Sequence, residues 1–207
     1  MSTTVAAYQL VETDEGVRGR HTRIPLEDLG EGDVLIRVTH SSVNYKDGLA
    51  ATGRAPIARR LPLVGGCCAA GTVVEPGKSG VPADTVVAVV GATLSEQHNG
   101  GYCEYLRVPA AWVVAVPEAF TSRQAAAIGT AGVTSAMAVV KLEDAGVTPE
   151  SGPIAVTGAS GGAGSLAVAL LAARGYEVTA LTGKPEAEDL LRDLGAANVA
   201  PRPDRSE

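Results

Sequence analysis

Ile154-Ala155-Val156-Thr157-Gly158-Ala159-Ser160-Gly161-Gly162-Ala163-Gly164 is the stretch on which the fold turns. Four strand-prone residues run into a glycine cluster, and the Ala- and Leu-rich segment 165–174 behind it reads as a helix. The glycines admit two spacings: Gly-x-x-Gly-x-x-Gly through Gly158, Gly161 and Gly164, or Gly-x-Gly-x-x-Ala through Gly162, Gly164 and Ala167. A glycine pattern alone is weak, but the strand–loop–helix setting is the one that marks a dinucleotide-binding turn. Glycine is required there because a side chain would hold a pyrophosphate off the backbone. The helix N-terminus then supplies oriented N–H donors and a partial positive charge. The bland alternative is a tight βα turn that binds nothing.

Toward the C-terminus the grammar continues. Residues 177–181 form a strand, and a helix follows with Pro185 in its first turn, acids at Glu186, Glu188 and Asp189, and Gly195 as its stop. A short strand at 198–200 runs into Pro201. Strands alternating with helices imply a parallel sheet. The end of the second strand chooses the cofactor. An NAD site places Asp or Glu about 20 residues after the glycines to hold the ribose 2′-hydroxyl. Here Leu181-Thr182-Gly183-Lys184 has no acid before Glu186. A hydroxyl, an open backbone and a cation suit a 2′-phosphate, and Arg202 adds a second cation. Read singly, Lys184 is equally a solvated lysine at a helix start; together, Thr182, Lys184 and Arg202 point to NADP.

Upstream of about residue 120 the pattern is all-β. Segments 33–39, 71–75, 84–90, 102–108 and 112–116 are short strands separated by turn residues, which suits a small barrel. The β-branched run 84–90 predicts burial on both faces. Between the barrel and the glycine cluster, 124–128 and 134–142 read as helices parted by Gly129-Thr130-Ala131-Gly132.

Composition narrows the partners. The 207 residues carry a net charge of −6, which disfavours nucleic acid or an anionic membrane surface. Five Tyr, one Trp and one Phe are too few for a base-stacking platform. No apolar run reaches the roughly 18 residues of a membrane span, and residues 1–16 have no signal-peptide pattern, so a soluble, cytoplasmic protein is expected. Cys67, Cys68 and Cys103 make no disulfide framework, and His21, His40 and His98 are scattered, so no metal is expected. The cysteines read as small interior residues, with a reactive thiol pair at Cys67-Cys68 as the alternative.

Three further stretches add a resemblance. Ser42-Val43-Asn44-Tyr45-Lys46-Asp47-Gly48-Leu49, Gly129-Thr130-Ala131-Gly132 and Leu142-Glu143-Asp144-Ala145-Gly146-Val147, in a barrel-then-Rossmann order, resemble the medium-chain dehydrogenase/reductases. Within that superfamily they are similar to the zinc-free acryloyl-CoA reductase and quinone oxidoreductase-like branch. The resemblance implies an α/β plus all-β chain: a GroES-like β-barrel domain over residues 1–120, then the first half of a Rossmann parallel sheet over 121–207. It implies NADPH-dependent reduction of the C=C bond of an α,β-unsaturated acyl-CoA, with a quinone as the alternative small-molecule acceptor. Family cofactor contacts fall on Tyr45, on Ser160, Gly161, Gly162 and Ala163, on Thr182, Gly183 and Lys184, and on Arg202. Tyr45 is also the candidate catalytic residue, a phenol able to position or protonate a developing enolate, or else a pocket wall. Arg54, Arg59 and Arg60 are candidates for coenzyme A phosphates, or a solvated loop.

Two departures stand out. The branch carries Pro-Gly-x-Asp where this chain has Gly65-Gly66-Cys67-Cys68, so an acid near the site is missing. Members also continue through a second βαβαβ half. Without it, strand 154–157 is expected to be an exposed sheet edge that favours a homo-oligomer. The retained half is expected to grip the adenosine end of NADPH and to transfer hydride poorly unless a second chain completes the sheet. A non-catalytic module that binds nucleotide, or recruits a partner by strand addition, is the reading from a different class.

Overall fold

Turn glycines and β-branched residues alternate through the first part of the chain, and strands follow from them. The computed structural model describes residues 3–203, and its backbone divides after Thr130 into two compact units. In the first, β1 (Thr4–Thr13) and β2 (Gly16–Pro25) form an antiparallel hairpin, and β4 (Leu63–Val64) pairs with the other side of β1. A second sheet has the order β7-β3-β5-β6-β8, built from β3 (Val34–His40), β5 (Cys68–Glu75), β6 (Val86–Val90), β7 (Tyr105–Val108) and β8 (Val114–Ala115). Residues 102–104 are the seam between the sheets. Tyr8 N–H donates to Tyr102 C=O at 2.8 Å, Glu104 N–H to Ala6 C=O at 3.0 Å, and Val38 N–H to Glu104 C=O at 2.9 Å. Val34, Ile36, Val73, Val87, Val89 and Leu106 fill the interior, each contributing about 1.5–3 kcal/mol by burial.

Two expectations for this unit are corrected. The run 84–90 is not buried on both faces: in β6 Val87 and Val89 are fully inside while Val86, Ala88 and Val90 are half-buried, the alternation of a one-sided strand. The segment read as all-β also contains a helix, α1 (Tyr45–Thr52). Asn44 and Asp47 close a capping box at its start, and Gly53 in the left-handed region (φ 66) ends it. Eight residues interrupted by Gly48 show too little 3.6-residue periodicity to register as a helix.

Helix α2 (Ser122–Asp144) passes from one unit to the other and is broken at Gly129 (φ 40, ψ −148), the glycine that parts the two expected helices. By length and composition alone α2 could cross a bilayer, contrary to the expectation that no apolar run is long enough. The break at Gly129 interrupts the hydrogen-bond ladder that a lipid-exposed span requires.

In the second unit, β9 (Ile154–Thr157), β10 (Val178–Thr182) and β11 (Asn198–Pro201) form a parallel sheet in the order β11-β10-β9. Helices α3 (Gly162–Ala173) and α4 (Glu188–Asp193) connect the strands. Val139, Val168, Leu171, Val178, Ala180 and Leu191 form the core. This is the 3-2-1 half of a doubly wound sheet, with β9 paired only to β10 among the described residues.

Candidate functional site

Geometry selects the first of the two glycine spacings. Gly158 adopts φ 59, where L side chains are strained, and a Cβ on Gly164 would stand 2.2 Å from Gly158 O and 2.8 Å from Ala159 Cα. A Cβ on Gly162 would meet nothing closer than Ala131 at 3.5 Å, ordinary contact. Gly161 is the N-cap of α3, which therefore begins three residues earlier than the expected 165. The first bond into α3 runs from Ser165 N–H to Gly161 C=O at 2.9 Å, so the N–H groups of Gly162, Ala163 and Gly164 precede it as open donors. Such a helix start fits an anion.

At the ends of β10 and β11 the other candidates gather. Thr182, 6% exposed, places its hydroxyl 2.8 Å from Ser160 Oγ and accepts the Lys184 N–H at 3.1 Å. It acts as a joint between the glycine turn and the β10 loop. A Cβ on Gly183 would meet nothing within 4 Å, and Lys184 is exposed beside it. Arg202 N–H donates to Thr182 C=O at 3.1 Å, which brings that residue to the same sheet end. The corner thus offers open backbone and two cations, and no acid stands at position 182.

The first unit holds the remaining candidate. Tyr45 is the first residue of α1 and is 85% exposed. Behind it lies a polar cluster whose hub the sequence did not single out. Asp47, 5% exposed, accepts Asn44 N–H at 2.8 Å, Asn44 Nδ2–H at 3.2 Å and Cys67 N–H at 3.0 Å, and Cys67 Sγ lies 3.6 Å from it. The Asn-x-x-Asp spacing of a capping box was the available signal. Cys67 Sγ also lies 3.2 Å from Asn44 Nδ2 and 3.5 Å from Thr130 Oγ1, and Cys68 Sγ lies 2.8 Å from Ser42 Oγ. All three cysteines are buried, but Cys67 and Cys68 sit among polar groups rather than in the apolar interior expected of them. The Cys67 thiol, donating to Cys68, is itself held well above the usual thiol range, with burial adding to the effect. That donor and Ser42 lower the Cys68 thiol, against its burial. Among the described residues no three His, Cys, Asp or Glu side chains are grouped to hold a metal ion. Arg54, Arg59 and Arg60 are exposed, with Arg60 Nε donating to Gln97 C=O.

Tyr102 donates its hydroxyl to Ser42 C=O at 3.0 Å, and burial, then the Asp47 charge, raise the phenol above the usual tyrosine range. Above pH of about 10 an unfolded chain releases a proton that native Tyr102 retains. Stability linked to Tyr102 is therefore complete below that pH and is lost as pH rises toward the native value. Melting temperature measured from pH 8 to 11 is expected to fall less steeply in Tyr102→Phe than in the wild type; parallel curves would reject the assignment.

Comparison with known proteins places this geometry. The alcohol dehydrogenase GroES-like domain matches residues 30–118. The solved yhdH oxidoreductase of Salmonella enterica, in complex with NADP, superposes with a TM-score of 0.91 at 41% identity, over 95% of this chain and 61% of that one. Residues 30–118 belong to the alcohol dehydrogenase GroES-like domain family, and the chain has the fold of the medium-chain dehydrogenase/reductases. The acrylyl-CoA reductase AcuI of Ruegeria pomeroyi is 44% identical over 185 residues, 89% of this chain and 56% of its own length. YhfP of Bacillus subtilis, provisionally named a quinone oxidoreductase, is 42% identical over 204 residues, covering 99% of this chain and 62% of YhfP. Its structure with NAD bound also superposes at a TM-score of 0.91. The chain thus spans little more than half the length of these relatives. A GroES-like domain followed by the start of a Rossmann sheet is the architecture the resemblance implied.

Proposed function

We propose that the chain is part of an NADPH-dependent oxidoreductase that reduces the C=C bond of an α,β-unsaturated acyl-CoA. The observation that carries the cofactor choice is the corner at the ends of β10 and β11, where Lys184 and Arg202 flank Thr182 and Gly183 leaves the backbone open. The residues present fit a dinucleotide: a side chain at Gly164 would fill the turn, and three N–H groups lie open before α3. Gly161, Gly162 and Ala163 would hold the pyrophosphate, Ser160 and Thr182 would fix the turn that carries it, and Lys184 and Arg202 would hold the 2′-phosphate. When bound, NADPH supplies the hydride. Tyr45, exposed at the start of α1, would hold the proton destined for the substrate's α-carbon. Identity to AcuI supports the acyl-CoA, and identity to YhfP supports a quinone as the second acceptor. The bacterial oxidoreductase relatives support a cytoplasmic location.

Titration with NADPH, NADH and adenosine 2′,5′-bisphosphate tests the cofactor. NADPH and the bisphosphate are expected to bind at least tenfold more tightly than NADH, and the double variant Lys184→Ala/Arg202→Ala is expected to erase that preference. A tenfold ratio corresponds to about 1.4 kcal/mol, within what one charge-assisted hydrogen bond contributes. Equal binding of NADH, as the bound NAD of YhfP would predict, sinks the NADP assignment; no binding by any of the three sinks the reductase reading.

A further inference from the structure

A cleft of about 750 Å³ opens within the first unit, between the β1–β2 hairpin, the end of β3, α1 and residues 101–104. Its volume is in the range of small-molecule sites. Val43 and Asp47 line it, on either side of Tyr45 in the chain, and Tyr45 itself does not. Most polar groups of the wall are already engaged by the protein. Ser41 Oγ donates to Cys68 C=O at 2.6 Å, Thr39 Oγ1 to Ala70 C=O at 3.3 Å, Glu104 accepts Ala6 N–H at 2.7 Å, and Asp47 is occupied by Asn44 and Cys67. No Lys or Arg is among the described lining residues, and the two carboxylates oppose an anion. The rest of the wall combines small aliphatic side chains, among them Ala7, Val38 and Ala51, with the rings of Tyr8, His21 and Tyr102. The Tyr8 ring meets His21 edge-on at 5.3 Å and Tyr102 edge-on at 6.2 Å. β2 is bare where Tyr8 crosses it, since a Cβ on Gly19 would stand 2.2 Å from the Tyr8 hydroxyl. Among the described residues no hydrogen bond engages the Tyr8 hydroxyl or the His21 ring nitrogens.

We propose that this cleft binds an uncharged compound carrying an aromatic ring and a carbonyl group. The ring packs against Tyr8 and Tyr102, where edge-to-face contacts are favourable, and the carbonyl oxygen accepts from Tyr8 or His21. A coenzyme A phosphate finds no cation there, and a three-carbon acyl group would leave most of the volume empty. The proposal goes beyond the reductase reading, which concerns an acyl-CoA, by assigning a ligand class to this cleft, and binding there does not rest on that reading.

The test is calorimetric titration of the chain, without dinucleotide, with 4-phenyl-2-butanone, which has no C=C bond for hydride or thiol addition. Saturable binding of one equivalent is expected, weakened at least tenfold by Tyr8→Ala and by Ala51→Phe, which fills the cleft from α1. Tyr8→Phe keeps the ring and is expected to lose less. Acetyl-CoA is expected not to displace the ketone. Absence of ketone binding by the wild type, binding unchanged in both Ala51→Phe and a folded Tyr8→Ala, or displacement by acetyl-CoA overturns the proposal. Should Tyr8→Ala fail to melt cooperatively, Ala51→Phe and Tyr8→Phe decide alone. Ketone binding without NADPH binding keeps the cleft and sinks the reductase reading. NADPH binding without ketone binding overturns the cleft and leaves that reading in place.

Discussion

Gly164→Val is expected to abolish NADPH binding and to destabilise the second unit by about 3 kcal/mol, the upper part of the overpacking range. A Cβ at this position would lie 2.2 Å from Gly158 O and 2.8 Å from Ala159 Cα, both backbone atoms that no side-chain rotation can move aside. Ala159 is fully buried and its N–H donates to Leu181 C=O at 3.1 Å, so retreat of the turn would break its tie to β10. Gly164→Ala already introduces the offending atom and is expected to follow valine in direction. Gly162→Ala is the control, because its Cβ finds ordinary contact at 3.5 Å. NADPH titration and urea unfolding of the three variants decide the matter. Gly164→Val with wild-type affinity and midpoint would show that the turn relaxes freely, and the glycine turn would then lose its role as a pyrophosphate cradle.

That turn was legible in the sequence because its requirements are local. Gly158 is needed for a left-handed φ and Gly164 for close backbone approach, and both needs are written in residue type and spacing. The sequence left two spacings open, since choosing between them takes the distance between Gly158 and Gly164 rather than their order. The parallel pairing of β9, β10 and β11 was equally readable, from the alternation of strands and helices. The cluster around Asp47 was not. It joins residues 42–47, 67–68 and 130, and the contacts of Cys67 with Asn44 and Thr130 exist only after the chain closes on itself. Nor does composition reveal that Cys67 and Cys68 are buried beside hydroxyls and a carboxylate, because a buried cysteine is ordinarily apolar in its surroundings. Thr182 shows the intermediate case. Its position at a strand end was predictable, whereas the hydrogen bond that turns its hydroxyl to Ser160 was not.

The same cluster carries the second large effect. Asp47→Ala is expected to cost about 2–6 kcal/mol, because it leaves the Asn44 and Cys67 N–H groups without an acceptor at about 1–3 kcal/mol each. The side-chain half of the α1 capping box is lost with it. Asp47→Asn retains one side-chain oxygen and is expected to lose less than half as much. Consequences for function arise from where α1 starts. Tyr45 is exposed, and its side chain makes no hydrogen bond among the described residues, so its placement depends on the first turn of α1 that Asp47 fixes. Ser160, Lys184 and Arg202 belong to the second unit and keep their own supports. Asp47→Asn is therefore expected to leave NADPH affinity within about twofold of wild type while lowering the rate of any enoyl reduction. Urea midpoints for both variants, read beside NADPH titrations, check the two claims separately. A midpoint for Asp47→Ala equal to wild type would mean that water or backbone shifts satisfy the orphaned donors, and the cluster would then not fix the start of α1.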